Sequence, residues 1–183
     1  YQSCWRSQRP KKLFICDINF RILANLLFEL GEQMQITVKP FENSFAAEID
    51  GIDIQNGINR QQFKIIHGAF LKHKVLIFRN QPLDDEAHQK FGMLFGELDE
   101  HINKSTRHKT LPSVQVFSNV KPDGGTTGVH PEKGTQVWHT DKSYTATPSL
   151  TTILRSPAIA RIGGDTLFAD MTRAYHGLSD DMK

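Results

Sequence analysis

The sequence holds only two cysteines, Cys4 and Cys16, both in the N-terminal segment. They make no metal-binding pattern, and they read as free thiols in a reducing compartment, with a disulfide between them as the other reading. No apolar run is long enough to cross a bilayer, so no membrane partner is expected. Neither sign of charge dominates: 22 Lys and Arg against 20 Asp and Glu leave a net charge of +2. That balance lacks the single-sign stripe of a nucleic-acid binder. Internal repeats and low-complexity tracts are also missing. What is present is a chain of 183 residues, enough for one domain with a real core.

Residues 1–35 read as an N-terminal extension. Arg6, Arg9, Lys11 and Lys12 precede apolar residues, as in a targeting peptide, but the longest uncharged apolar piece, Ile22–Phe28, is broken by Arg21 and Glu29. No small-residue cleavage site follows, so a cytoplasmic location is expected, with a mitochondrial one as the other reading. Ile22, Leu23, Leu26, Leu27, Leu30 and Met34 recur at helical spacing and predict an amphipathic helix.

Residues 36–183 carry the domain. Ile36–Phe41 and Phe45–Ile49 predict two short strands joined by a turn at Asn43-Ser44. Asn59 predicts a helix N-cap, with Phe63, Ile66, Ala69 and Phe70 on one face. The apolar run Val75–Phe78 predicts a buried strand, and Asp84 caps a second helix ended by Gly96. Glu97–Leu111 reads as a polar, solvated loop, and Lys121–Gly134, rich in Gly and Pro, as a long loop suited to a lid or substrate contact. Further strands are expected at Val114–Val120, Leu150–Leu154 and Thr166–Ala169, and a short helix at Met171–His176 with Gly177 as its stop. Many short strands with Gly/Pro turns point to a sandwich or barrel.

The chain is organised around Val137-Trp138-His139-Thr140-Asp141. If this stretch lies on or beside a strand, His139 and Asp141 point to one face and Thr140 to the other. One imidazole and one carboxylate on one face make two thirds of a two-His-one-carboxylate triad, which suits Fe(II) and leaves positions open for oxygen and a co-substrate. A bare His-x-Asp is weak evidence, since such a pair on a surface strand often does no more than hydrogen-bond to itself.

The surroundings strengthen it. Gly163-Gly164-Asp165-Thr166-Leu167-Phe168-Ala169-Asp170 follows downstream. WHTD and GGDTLFAD, in this order and at this spacing, resemble the taurine dioxygenase (TauD/TfdA) family of Fe(II)- and 2-oxoglutarate-dependent dioxygenases. The resemblance extends upstream through Gly51-Ile52-Asp53, Lys74–Arg79 and Phe95–Leu98, and runs from Ile36 to Lys183. It implies a mainly β fold with flanking helices (α+β), a double-stranded β-helix or jelly roll, incomplete at the C-terminus. It implies Fe(II) held by His139 and Asp141, with 2-oxoglutarate as co-substrate and Thr166 matching the threonine that hydrogen-bonds one of its carboxylates. The implied reaction hydroxylates a small, anionic substrate, of the sulfonate or aryloxy/carboxylic acid class, as molecular oxygen and 2-oxoglutarate are consumed and succinate is formed.

His101 falls where taurine-specific members place a substrate-pocket histidine, and Thr135 stands where they have Asn, a departure that argues against taurine itself. His101, Lys104, Arg107 and Lys142 together suggest an anion held between Glu97–Leu111 and the 121–134 loop. The family's second iron-binding His and the Arg for the far carboxylate are expected beyond Lys183. Neither His130, before a proline in a loop, nor His176, at a helix end, suits the ligand role. The chain starts at Tyr1 and ends as Ser179-Asp180-Asp181 opens a new turn, which reads as a fragment, inactive by itself. The competing reading is a truncated, catalytically inactive member of the fold that binds a metal or small anion. A homo-oligomer is left open.

Overall fold

The computed structural model describes residues 35–100, 104–129, 136–160 and 162–183. The helix expected over Ile22–Met34 lies outside the described residues. Two compact units divide the chain: one runs to Pro82 and resumes at Ser156–Lys183, and the other is Leu83–Arg155.

The first unit is built on a three-stranded sheet in the order β1 (Thr37–Pro40), β2 (Ala46–Asp50), β3 (Val75–Phe78). β1 and β2 are antiparallel, with Thr37 opposite Asp50 and Pro40 opposite Ala47. Their turn closes through the Phe41 amide to the Ala46 carbonyl at 3.0 Å, and Asn43 supplies the left-handed conformation it needs, at φ 54°. β2 and β3 are parallel, so the chain must cross over between them. The crossover carries helix α1 (Arg60–His73). Asn59 and Gln62 form a reciprocal capping box at its start, each side chain accepting the other's amide at 2.9 Å. Ile66 and Ala69 of the helix are buried together with Ala46, Ala47 and Ile49 of β2, and Ile52 and Ile54 complete the core of this unit. Ile66 and Ile49 are fully enclosed, each contributing about 2 kcal/mol of transfer free energy.

Polar bonds complete this unit. Gln81 accepts the Ile54 amide at 2.9 Å and donates to the Ile52 carbonyl at 3.0 Å. Arg79 pairs with Glu48 across the sheet at 2.8 Å. Helix α3 (Met171–His176) is capped by Asp170, whose carboxylate accepts the Arg173 amide and also pairs with Lys74 at 2.9 Å. Lys74 is the C-cap of α1, so this pair ties the GGDTLFAD segment to the end of the crossover helix. Ser179 stands at the N-cap of a single 3₁₀ turn, Asp180–Met182, but its side chain makes no capping bond.

The second unit begins with helix α2 (Asp85–Met93), capped by Asp84, which accepts the Ala87 amide at 2.7 Å. Asp85 and Glu86 complement the positive end of the helix. Ala87 and Phe91 are buried, and Phe91 meets Phe95 edge to face at 5.6 Å. The helix stops at Met93, earlier than the expected Gly96, because Leu94 and Phe95 already bond back in a tighter turn.

The expected strands at Val114–Val120, Leu150–Leu154 and Thr166–Ala169 are a correction. Around the first, two isolated antiparallel bridges form, Arg107 with Gln115 and Val120 with Thr126. The other two belong to no ladder. β-Propensity makes a strand only when a neighbouring segment takes up its amides and carbonyls along its length; among the described residues Val114–Val120 finds such a partner only at these single bridges, and no ladder forms on the other two. These residues therefore show a small mixed sheet with helices, in which helix outweighs strand; they do not form a closed jelly roll.

Candidate metal centre

His139 and Asp141 belong to the second unit, and their segment is not a strand. Trp138–Thr140 is irregular and Asp141 opens a turn, in which Lys142 takes a left-handed φ of 53° and the Thr145 amide reaches the Lys142 carbonyl at 3.0 Å. The two side chains converge all the same. His139 Nε2 stands 3.5 Å from Asp141 Oδ1, and both groups are about half exposed, at 47% and 45%.

Each is held from behind. His139 Nδ1 lies 2.8 Å from the Val137 carbonyl. A carbonyl can only accept, so Nδ1 carries a proton, and Nε2 is the nitrogen turned toward Asp141 that a metal ion would take. Asp141 Oδ2 accepts a hydrogen bond from Thr152 Oγ1 at 2.5 Å, which leaves Oδ1 facing the imidazole. Two donors on one ion at ~2.1 Å each stand about 3 Å apart, so this pair needs only a small adjustment to share a metal. The imidazole, with its other nitrogen bonded to a carbonyl, is dressed as metal-bound histidines are. Among the described residues no third His, Cys, Asp or Glu joins them.

The remaining candidates fall as follows. His101 and Thr135 lie outside the described residues, as does His130. Thr166, in the first unit, is exposed in an irregular segment behind Gly163 and Gly164, whose φ of 73° and 78° favour glycine. His176 ends α3 against the ring of Tyr175 at 6.0 Å. Lys142 is engaged by Asp99 at 2.7 Å and Arg107 by Glu100 at 3.2 Å, so these two cations are already partly neutralised within the chain.

The segment expected to be a solvated loop is in fact organised by His108. Its Nδ1 accepts the amides of Thr110 and Leu111 at 3.3 and 3.2 Å, and its Nε2 faces Asp85 at 3.3 Å. Arg155 donates to the same Asp85 and to the Leu83 carbonyl. His88 donates to the Ile153 carbonyl at 3.2 Å, and burial pushes its pKa below the ordinary 6.5. Thr152, His108 and Arg155 carried no motif; the signal for Thr152 was a hydroxyl residue inside the apolar run Leu150–Leu154.

Residues 37–183 match the taurine catabolism dioxygenase TauD, TfdA family. The chain belongs to this family. The match begins one residue after the start of the resemblance read from the sequence. The chain is similar to an alkylsulfatase of Acinetobacter baylyi, 31% identical over 152 residues, covering 81% of this chain and 44% of the relative. An alpha-ketoglutarate-dependent 2,4-dichlorophenoxyacetate dioxygenase of a Burkholderia species is 26% identical over 158 residues, with 82% and 53% covered. The crystal structure of a taurine dioxygenase from Burkholderia xenovorans matches 42% of this chain and 28% of its own at 31% identity, with a TM-score of 0.39. The chain thus spans about half the length of the relatives it matches. Among the described residues no helix is long and apolar enough to cross a membrane.

Proposed function

We propose that the protein is an Fe(II)- and 2-oxoglutarate-dependent dioxygenase that hydroxylates a small, anionic substrate. The observation that carries this reading is the convergence of His139 Nε2 and Asp141 Oδ1, each fixed from behind, inside a chain of the TauD/TfdA family. An imidazole lone pair and a carboxylate oxygen are donors that suit Fe(II) and leave it redox-active. When bound, iron with 2-oxoglutarate supplies the oxidation: one oxygen atom enters the substrate, the other enters succinate, and carbon dioxide leaves. The jelly roll is the architecture that goes with this reading.

The chain's own residues bind and orient. His139 and Asp141 supply two of three protein ligands. Thr166 donates its hydroxyl to a carboxylate of 2-oxoglutarate. His101, with Thr135 as the second substrate residue of this reading, takes the anionic end of the substrate by a charge-assisted bond, which sets the target C–H bond in place. An alkyl sulfate and 2,4-dichlorophenoxyacetate, the compounds for which the two relatives are named, each carry an acidic head group, and this supports a substrate of that class. The relatives' names are those of enzymes, which leaves the inactive-binder reading without support.

The test is succinate formation by the intact protein with Fe(II), 2-oxoglutarate and oxygen across a panel of small sulfates, sulfonates and aryloxy acids. Iron-dependent succinate that disappears in His139→Ala is expected. No iron-dependent succinate with any acid of the panel would overturn the proposal.

A further inference from the structure

The hydrogen bond behind Asp141 has a mechanical origin. Thr152 lies eleven residues downstream of Asp141. The chain doubles back between them through a turn held by Thr145, whose hydroxyl proton is shared between the carbonyls of Lys142 at 2.8 Å and Thr147 at 2.9 Å. The segment that returns alternates: Thr151, Ile153 and Arg155 are half-buried, and Thr152 and Leu154 are exposed. That is the two-residue period of extended backbone, so Thr152 projects away from the face on which Ile153 and Arg155 are anchored.

That anchored face is tied to α2. The Ile153 carbonyl accepts from His88, Arg155 binds both the Leu83 carbonyl and Asp85, and the Ile153 side chain comes within 3.9 Å of where a side chain on Gly92 would begin. Thr152 is thus held by the anchored Ile153 and Arg155 that follow it, and its hydroxyl meets Asp141 from a fixed point. With Oδ2 taken, Asp141 offers one oxygen, Oδ1, on the side of His139.

We propose that Thr152 is a positioning residue for the metal centre, one that holds Asp141 as a single-oxygen ligand beside His139. The inference rests on the metal-centre reading above. A hydroxyl donated to the outer oxygen of a ligating carboxylate sets its orientation and its charge, and removing such a bond typically weakens metal binding about 10- to 100-fold. Because Thr152 is exposed, replacing it opens no cavity in the core.

The test is titration of the intact protein with Co(II), read both as a dissociation constant and as the visible absorption of the bound ion. Thr152→Val keeps the shape and removes the hydroxyl; Thr152→Ser keeps the hydroxyl and removes the methyl. The expected result is Co(II) affinity about 10-fold weaker in Thr152→Val with an altered absorption band, and affinity near that of the parent in Thr152→Ser. Unchanged affinity in Thr152→Val, or an equal loss in both variants, would overturn the role of Thr152. His139→Ala separates this from failure of the underlying reading. If that variant binds Co(II) as tightly as the parent, the ion does not sit at His139 and Asp141, and both the metal centre and the role of Thr152 fall.

Discussion

Replacing Arg155 with Met removes a guanidinium and keeps most of its stem, so the loss is electrostatic and not one of packing. In the parent the guanidinium donates to the Leu83 carbonyl and to Asp85, with side-chain exposures of 23% for Arg155 and 33% for Asp85. Hydrogen bonds to charged groups contribute about 1.5–3 kcal/mol each when well sheltered. A pair this open to solvent is screened, which brings the two bonds together to about 2 kcal/mol. Asp85 is not stranded by the change, because His108 remains 3.3 Å from its other oxygen. Urea unfolding of the intact protein should therefore show a loss of about 2 kcal/mol in Arg155→Met. A double-mutant cycle with Asp85→Asn should return a coupling of about 1 kcal/mol. Metal affinity should fall as well, since Arg155 steadies the segment that carries Thr152. A loss under about 0.5 kcal/mol, the range of ordinary surface changes, would refute the claim that this pair anchors residues 152–155 to α2.

Ile66 is fully buried, so Ile66→Ala should cost about 3 kcal/mol, and Ile66→Val about 1, both measured by chemical denaturation. For a chain of this size the Ala variant should melt roughly 6–12 °C lower. His88 is held below 6.5 chiefly by burial, so above that pH it is neutral both folded and unfolded. As pH falls through 6.5 the unfolded chain protonates first; stability should decline down to the folded pKa, and His88→Gln should flatten that slope in unfolding midpoints taken at a series of pH values. Asp170 is lowered from 3.8 chiefly by its bond from Lys74. Its contribution should be full above 3.8 and be lost as pH falls below that value through the folded pKa; in Lys74→Met a carboxyl NMR titration should show Asp170 moved upward.

The elements that the sequence made legible are those with local causes. The capping box of Asn59 and Gln62, the Asp84 cap and the short apolar run Val75–Phe78 each act within a few residues; both helices start, and the strand lies, where expected. The hairpin turn at Asn43-Ser44 is of the same kind. Leu150–Leu154 and Thr166–Ala169 have the right composition for strands, but a ladder depends on a partner that composition does not encode. The convergence of His139 and Asp141 was expected from strand alternation, yet it arises from a turn, the Val137 carbonyl and Thr152. The pairing of Lys142 with Asp99, and the Asp85–His108–Arg155 cluster, join residues far apart in the chain and left no trace in spacing.

The central claim places a metal ion on Nε2 of His139 and Oδ1 of Asp141. Anomalous diffraction at the iron edge, from crystals of the intact protein grown with Fe(II) under anaerobic conditions, tests it directly. The account predicts one peak about 2.1 Å from both atoms, with Thr152 still on Oδ2 of Asp141 and the Val137 carbonyl still on Nδ1 of His139. A peak elsewhere, or none near these two residues while iron is bound, would contradict it.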